Sequence, residues 1–106
     1  MGILVAQMRL AQLNAYCSDL DYNIGLINST KRDLLNQIND IVGLGSDMDP
    51  DSPEMKELQK KQERLHTVEK ALDAQLQRYQ SQLKMAEQEQ ESVRNSFDSA
   101  LQRSYR

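Results

Sequence analysis

Three aspartates near the middle of the chain have the spacing of a calcium-binding loop. Asp47, Asp49 and Asp51 occupy alternate positions, like the first three side-chain ligands of a calcium loop between two helices. The rest of that pattern fails, because Ser52 stands where the loop needs glycine and Leu58 where it needs glutamate. The carboxylates are therefore predicted to cap a solvated turn, and no metal ion is expected.

The candidates for catalysis lack the partners that such chemistry needs. His66 is the single histidine and lies in a charged segment, where it is expected at the surface because acid–base catalysis requires positioned partners. Cys17 is the single cysteine and has no histidine near it in the sequence, which is typical of a small packing residue. Phosphate-loop, H-E-x-x-H and C-x-x-C motifs are absent. The sequence therefore predicts no catalytic residue, no cofactor and no enzymatic activity.

The length, the charge balance and the N-terminal residues of the chain argue against several classes of protein. The 106 residues are enough for one domain at most, and they carry 13 basic and 16 acidic side chains, for a net charge of -3. This balance argues against a general nucleic-acid-binding protein, which would present a basic face. The apolar start of the chain is interrupted at Gln7 and Arg9, which predicts neither a cleavable signal peptide nor a membrane span.

A glycine- and proline-rich stretch, residues 43–53, organises the chain. Gly43 or Gly45 is predicted to end a helix, because glycine tolerates the left-handed conformation that often follows a last helical turn. Pro50 and Pro53 cannot lie inside a helix, since they have no N–H to donate. Pro53 suits the first position of a new helix, where no donor is needed.

The residues around Pro53 also carry capping signals. Asp51 or Ser52 is expected to cap the second helix, and Asp51 with Glu54 forms a D-x-x-E capping pair. The predicted organisation is a helix over residues 1–42, a turn over 43–53 and a longer helix over 54–106.

Apolar residues recur with seven-residue spacing in both helical segments, a pattern typical of helices that pack side by side. The predicted hairpin seam comprises Leu10, Leu13, Leu20, Ile24, Ile27, Leu34, Ile38, Ile41, Leu58, Leu65, Leu72, Leu76, Tyr79 and Leu83. Lys31 interrupts the seam in the first segment, and Gln62 and Glu69 interrupt it in the second. The predicted fold is all-α: two long antiparallel helices that form a coiled-coil helical hairpin.

More apolar side chains are present than a two-helix hairpin covers. Such a hairpin encloses no core, and a chain of this size reaches stability by burying most of its apolar surface. The second segment is longer than the first, so its end beyond Asn95 is expected to lack an intramolecular partner. The residues predicted to contact further copies of the chain are Leu4, Val5, Met8, Phe97, Leu101 and Tyr105.

Three short motifs resemble those of the needle subunits of bacterial type III secretion systems. Residues 50–53, P-D-S-P, resemble the P-x-x-P turn of these small helical hairpins, and residues 79–83, Y-Q-S-Q-L, resemble a run that follows that turn. The C-terminal segment is similar as well, through Asp98, Ala100, Leu101, Tyr105 and Arg106.

The resemblance implies a subunit that polymerises into a hollow filament. Its C-terminal helix would line the lumen, with Arg106 a candidate for the channel surface, and other secretion components would be partners. It also implies a location at or outside the cell surface, reached by export without a cleavable signal peptide. Two alternatives remain open: a cytoplasmic adaptor or secretion chaperone that binds a partner's helix, and a closed dimer that forms a four-helix bundle.

Overall fold

The computed structural model describes residues 2–104 and shows two long α-helices joined by a short turn. Helix α1 is Ile3–Gly45 and helix α2 is Pro53–Ser104. The predicted all-α helical hairpin is therefore confirmed. Helix α1 runs to Gly45 instead of ending at residue 42. Tyr105 and Arg106, a predicted contact residue and the predicted channel residue, lie outside the described residues.

The start of α2 is fixed by side chains of the turn. The Oγ of Ser52 accepts a hydrogen bond from the N–H of Met55 at 3.1 Å, which makes Ser52 the N-cap and places Pro53 at the first helical position. Asp51 has a different role from the cap considered for it. Its own N–H donates to Oδ1 of Asp49 at 3.1 Å, a local contact that tightens the turn.

Helix α1 ends at one of the two predicted glycines, but not through the predicted backbone conformation. No glycine among residues 2–104 has a positive φ, so the expected left-handed helix end is wrong. Instead, the hydroxyl of Ser46 donates to the carbonyl of Gly43 at 2.8 Å. A Cβ built on Gly45 would lie 3.3 Å from Sδ of Met55. A side chain at position 45 would therefore require the flexible end of Met55 to shift by a few tenths of an ångström.

The hairpin divides into two compact units. The terminal unit comprises the described residues up to Ile24 and those from Arg78 onward, and the turn unit comprises Gly25–Gln77. Each unit contains one segment of α1 and one segment of α2.

While one heptad row of α1 is buried only at Cys17 and Ile38, the row three positions later is buried along its whole length. Every member of this row is at most 6% exposed: Ala6, Leu13, Leu20, Ile27, Leu34 and Ile41. The facing row of α2 is buried at Ala86, Val93 and Ala100 and half-buried elsewhere. The seven-residue spacing therefore corresponds to the packed side of each helix, as expected for antiparallel helices with one apolar stripe each.

Candidate subunit-contact surface

The core of the terminal unit is a small cluster between the two helices. Ala6, Leu13 and Val93 form its buried centre, and Leu10 and Phe97 pack against them. The expectation that Phe97 lacks an intramolecular partner is therefore wrong. Ala6 and Leu13 of α1 supply the partners that Phe97 was expected to lack.

The remaining end of α2 also lies beside α1. Ala100 is buried and Leu101 is half-buried. A cleft at this place is lined by Leu4 and Val5 from α1 and by Ala100 and Arg103 from α2. The two helices are therefore paired almost to the last described residue, and the predicted unpaired extension is not present among the residues up to Ser104.

Three large apolar side chains at the start of α1 are mostly exposed to solvent. Leu4 is 74% exposed, Val5 is 59% exposed and Met8 is 65% exposed. Leu4 and Met8 are four residues apart, so they are neighbours on one face of the helix. Single exposed apolar residues are ordinary on protein surfaces, but a contiguous group is typical of an interaction site. We call Leu4, Val5 and Met8 the N-terminal patch.

Polar contacts hold the helices together on either side of the terminal core. The guanidinium of Arg9 pairs with Glu89, with Nε 2.9 Å from Oε1. The amide of Gln90 donates to Oδ1 of Asn14 at 2.7 Å. These contacts are exposed and so contribute little each to stability. They do link α1 to α2 within the terminal unit at two neighbouring positions of α2.

Lys31, the polar interruption of the seam in α1, has an oppositely charged partner in the turn unit. Lys31 forms an ion pair with Asp73, and its side chain is 26% exposed. A charged residue in such a seam helps to specify helix register, because only one alignment supplies its partner. Nδ1 of His66 lies 3.8 Å from Oε2 of Glu69, an oxygen that is buried without a hydrogen-bond partner. His66 and Glu69 are three residues apart on the same helix, and no described serine, threonine or cysteine is among the contacts of this pair.

Cys17 occupies a seam position and is 9% exposed. Burial raises the pKa of its thiol, and the negative charges of Glu87 and Asp21 raise it further. The thiolate is the reactive form of cysteine, so the environment of Cys17 suppresses its nucleophilicity. The side chain acts as a packing residue of the terminal unit.

Alkylation of Cys17 by iodoacetamide should be markedly slower in the folded protein than in the urea-unfolded chain at pH 8. Both low accessibility and the raised pKa reduce the available thiolate. The rate in the folded protein should continue to rise with pH above the ordinary thiol pKa, where the unfolded chain has reached its plateau. Equal rates and equal pH profiles in the two states would contradict this description of the site.

In the turn, the side chain and the carbonyl of Asp49 both accept hydrogen bonds from neighbouring turn residues. Asp49 accepts from the N–H of Asp51, and its carbonyl accepts from the hydroxyl of Ser52 at 2.8 Å. Within residues 2–104, no group of three or more His, Cys, Asp or Glu side chains is arranged to hold a metal ion. The described chain also contains no helix with the length and apolar character required to cross a bilayer.

A second apolar surface, which the heptad pattern did not reveal, lies next to the turn. It is a groove of about 270 Å³. Its apolar lining is Ile41, Val42, Gly45, Met55 and Leu58. Val42 is 54% exposed at this groove, whereas Ile41 is 6% exposed. The signal in the sequence was the glycine at position 45, which lines the groove and has no side chain to fill it. We call this surface the turn groove.

Comparison with protein-family models, with curated proteins and with solved structures gives no match for this chain. The resemblance to needle subunits therefore stays a prediction from three short motifs.

Proposed function

We propose that this chain is a structural subunit that assembles with copies of itself through the N-terminal patch. The observation that carries the proposal is the exposure of Leu4, Val5 and Met8, which lie in a stretch without any charge from residue 2 to residue 8. Contiguous apolar surface of this kind is typical of a site that another molecule covers.

The interior of the hairpin supports the same proposal. Among the described residues, no large side chain is less than 2% exposed, and the one residue at 0% is Ala6. Each helix buries one stripe and leaves its other faces open. Covering the patch with a second copy would remove apolar area from water, at roughly 25 cal/mol for each Å². Self-assembly would thus compensate for the small interior.

We propose further that the assembly is a filament, and that it is tubular and related to protein secretion. The support is the antiparallel hairpin with its P-D-S-P turn, together with the resemblance of residues 79–83 and of the C-terminal segment to needle subunits. In such a filament Arg106 would belong to the channel surface, and Leu101 and Tyr105 would belong to contacts between copies. The filament would lie outside the cell and meet other secretion components at its base.

Charge placed in the N-terminal patch should abolish assembly without unfolding the chain. The test is the double variant Leu4→Asp/Met8→Asp, which we call the patch variant. An aspartate at position 4 lies in the first turn of α1, where a negative charge interacts favourably with the helix N-terminus. No acidic residue is already present in that turn to oppose it. Desolvating two carboxylates at a contact costs several kcal/mol, so the concentration for half-assembly should rise at least about a hundredfold.

The matched control is Met85→Asp, since Met85 and Met8 are each 65% exposed. Sedimentation and negative-stain microscopy should show long particles for the wild type and the control, and a 12.2 kDa species for the patch variant. Circular dichroism should show the same helix content in all three. A wild type that stays at 12.2 kDa at every concentration would contradict self-assembly and favour an adaptor. Discrete particles of two chains would favour the closed bundle.

A further inference from the structure

We propose that the N-terminal patch of one copy docks into the turn groove of another copy. This inference rests on the proposed self-assembly and names the surface that receives the patch. The contact then joins two different surfaces of the same chain: a ridge of exposed side chains from the terminal unit and a hollow in the turn unit.

The shapes of the two surfaces are compatible. An apolar cavity of about 150 Å³ accommodates a benzene molecule, so a groove of 270 Å³ has room for one or two aliphatic side chains. Leu4 and Met8 present two such side chains one helical turn apart, which is the spacing by which helices anchor in apolar grooves. Met55 lines the groove and has a flexible side chain that adapts to an incoming group.

The charges around the two surfaces are opposite. The groove lining lies within residues 40–62, and this stretch has an excess of negative charge, with six carboxylates against three lysines. The carboxylates are Asp40, Asp47, Asp49, Asp51, Glu54 and Glu57, and the lysines are Lys56, Lys60 and Lys61. The cleft beside the patch is lined by one charged residue among those described, the cation Arg103, which is exposed. Docking the patch into the groove therefore brings a guanidinium towards a group of carboxylates.

The alternative pairings of these surfaces bring like charges together. A symmetric contact between two patches would place the Arg103 side chains of both copies at one interface. A symmetric contact between two grooves would oppose two groups of carboxylates. Because like charges brought together at an interface disfavour the contact, the pairing of patch with groove is the favoured one.

When the patch of one copy docks into the groove of a second, the first copy still has a free groove and the second still has a free patch. Such a heterologous contact repeats from copy to copy and produces a ring or an open filament. A symmetric contact between two patches would stop at two chains. The docking mode thus determines whether assembly continues.

The groove is tested by Val42→Asp, which we call the groove variant. Val42 is 54% exposed and lies at the groove, and its matched control is Val68→Asp, because Val68 is 47% exposed and lies outside the groove lining. A carboxylate at position 42 would lose its hydration when the apolar patch of a second copy covers it, and this desolvation disfavours docking. The groove variant should sediment as single chains of 12.2 kDa, whereas the Val68 variant should assemble like the wild type.

Mixing the patch variant with the groove variant gives the decisive measurement. The groove variant keeps an intact patch and the patch variant keeps an intact groove, so one contact remains available. An equimolar mixture should contain heterodimers of twice the single-chain mass and nothing larger. Formation of the heterodimer also shows that both variants are folded.

The other outcomes overturn the inference separately from the proposed function. If the wild type and the groove variant assemble equally while the patch variant does not, the patch binds another surface and the inference fails, although self-assembly stands. If both variants stay monomeric when mixed, docking of patch into groove is refuted. If the wild type itself never assembles, the proposed function fails first.

Discussion

Replacing Val93 with aspartate should cost the terminal unit most of its stability. Val93 is 5% exposed and lies in the cluster with Ala6 and Leu13, where no cation is among the packed side chains. Burying an unpaired carboxylate costs several kcal/mol, and the total stability of small proteins is only about 5–15 kcal/mol. We expect a large drop in the urea midpoint and loss of hydrogen-exchange protection in the terminal unit.

The adjacent serine supplies the control for this prediction. Ser92 is exposed on the same helical turn, so Ser92→Asp adds the same charge to the same part of α2 without placing it in the cluster. Its free energy of unfolding should stay within about 0.5 kcal/mol of the wild type, as for most surface substitutions, so its urea midpoint should barely change. Equal midpoints for the Val93 and Ser92 variants would show that the cluster does not stabilise the protein.

Leu34 and Leu35 allow a second prediction in the turn unit, because adjacent residues of the same type differ in burial. Leu34 is 6% exposed and Leu35 is 45% exposed. Leu34→Ala should destabilise the protein by about 2–4 kcal/mol, through lost apolar burial and the cavity that remains. Leu35→Ala should cost less than about 1 kcal/mol, since the side chain is already half in water.

Urea unfolding followed by circular dichroism measures both variants under one set of conditions. The midpoint should shift clearly for Leu34→Ala and slightly for Leu35→Ala, with the dependence on urea concentration unchanged. The measurement should be made with the patch variant as background, so that assembly does not add to the apparent stability. The reverse order of effects would mean that α1 packs through the other face.

The features that could be predicted from the sequence are those with local causes. Pro53 has no N–H and a fixed φ, so it starts a helix wherever it follows a capping residue. Ser52 was one of two candidate caps, and its hydroxyl is indeed the acceptor for the N–H of Met55. The heptad spacing likewise follows from helix geometry alone, and the row that begins at Ala6 is the buried row of α1.

The features that were missed depend on which parts of the two helices meet. Phe97 was expected beyond the end of α1, but it packs against the cluster of Ala6, Leu13 and Val93. Gly45 was expected to adopt a left-handed backbone conformation, but it has no positive φ and lies beside the side chain of Met55. In both cases the residue type was informative, while the partner that explains it lies on the other helix.

By itself, the sequence determined two helices, a turn with its cap and one apolar stripe along each helix, because these depend on backbone geometry and neighbouring residues. Only the tertiary structure decided how far α2 pairs with α1, which apolar side chains remain open at Leu4, Val5 and Met8, and that a groove exists beside the turn. These features depend on the register between segments distant in sequence. A seven-residue repeat matches several registers equally well, and packing and ion pairs such as Lys31 with Asp73 select one of them.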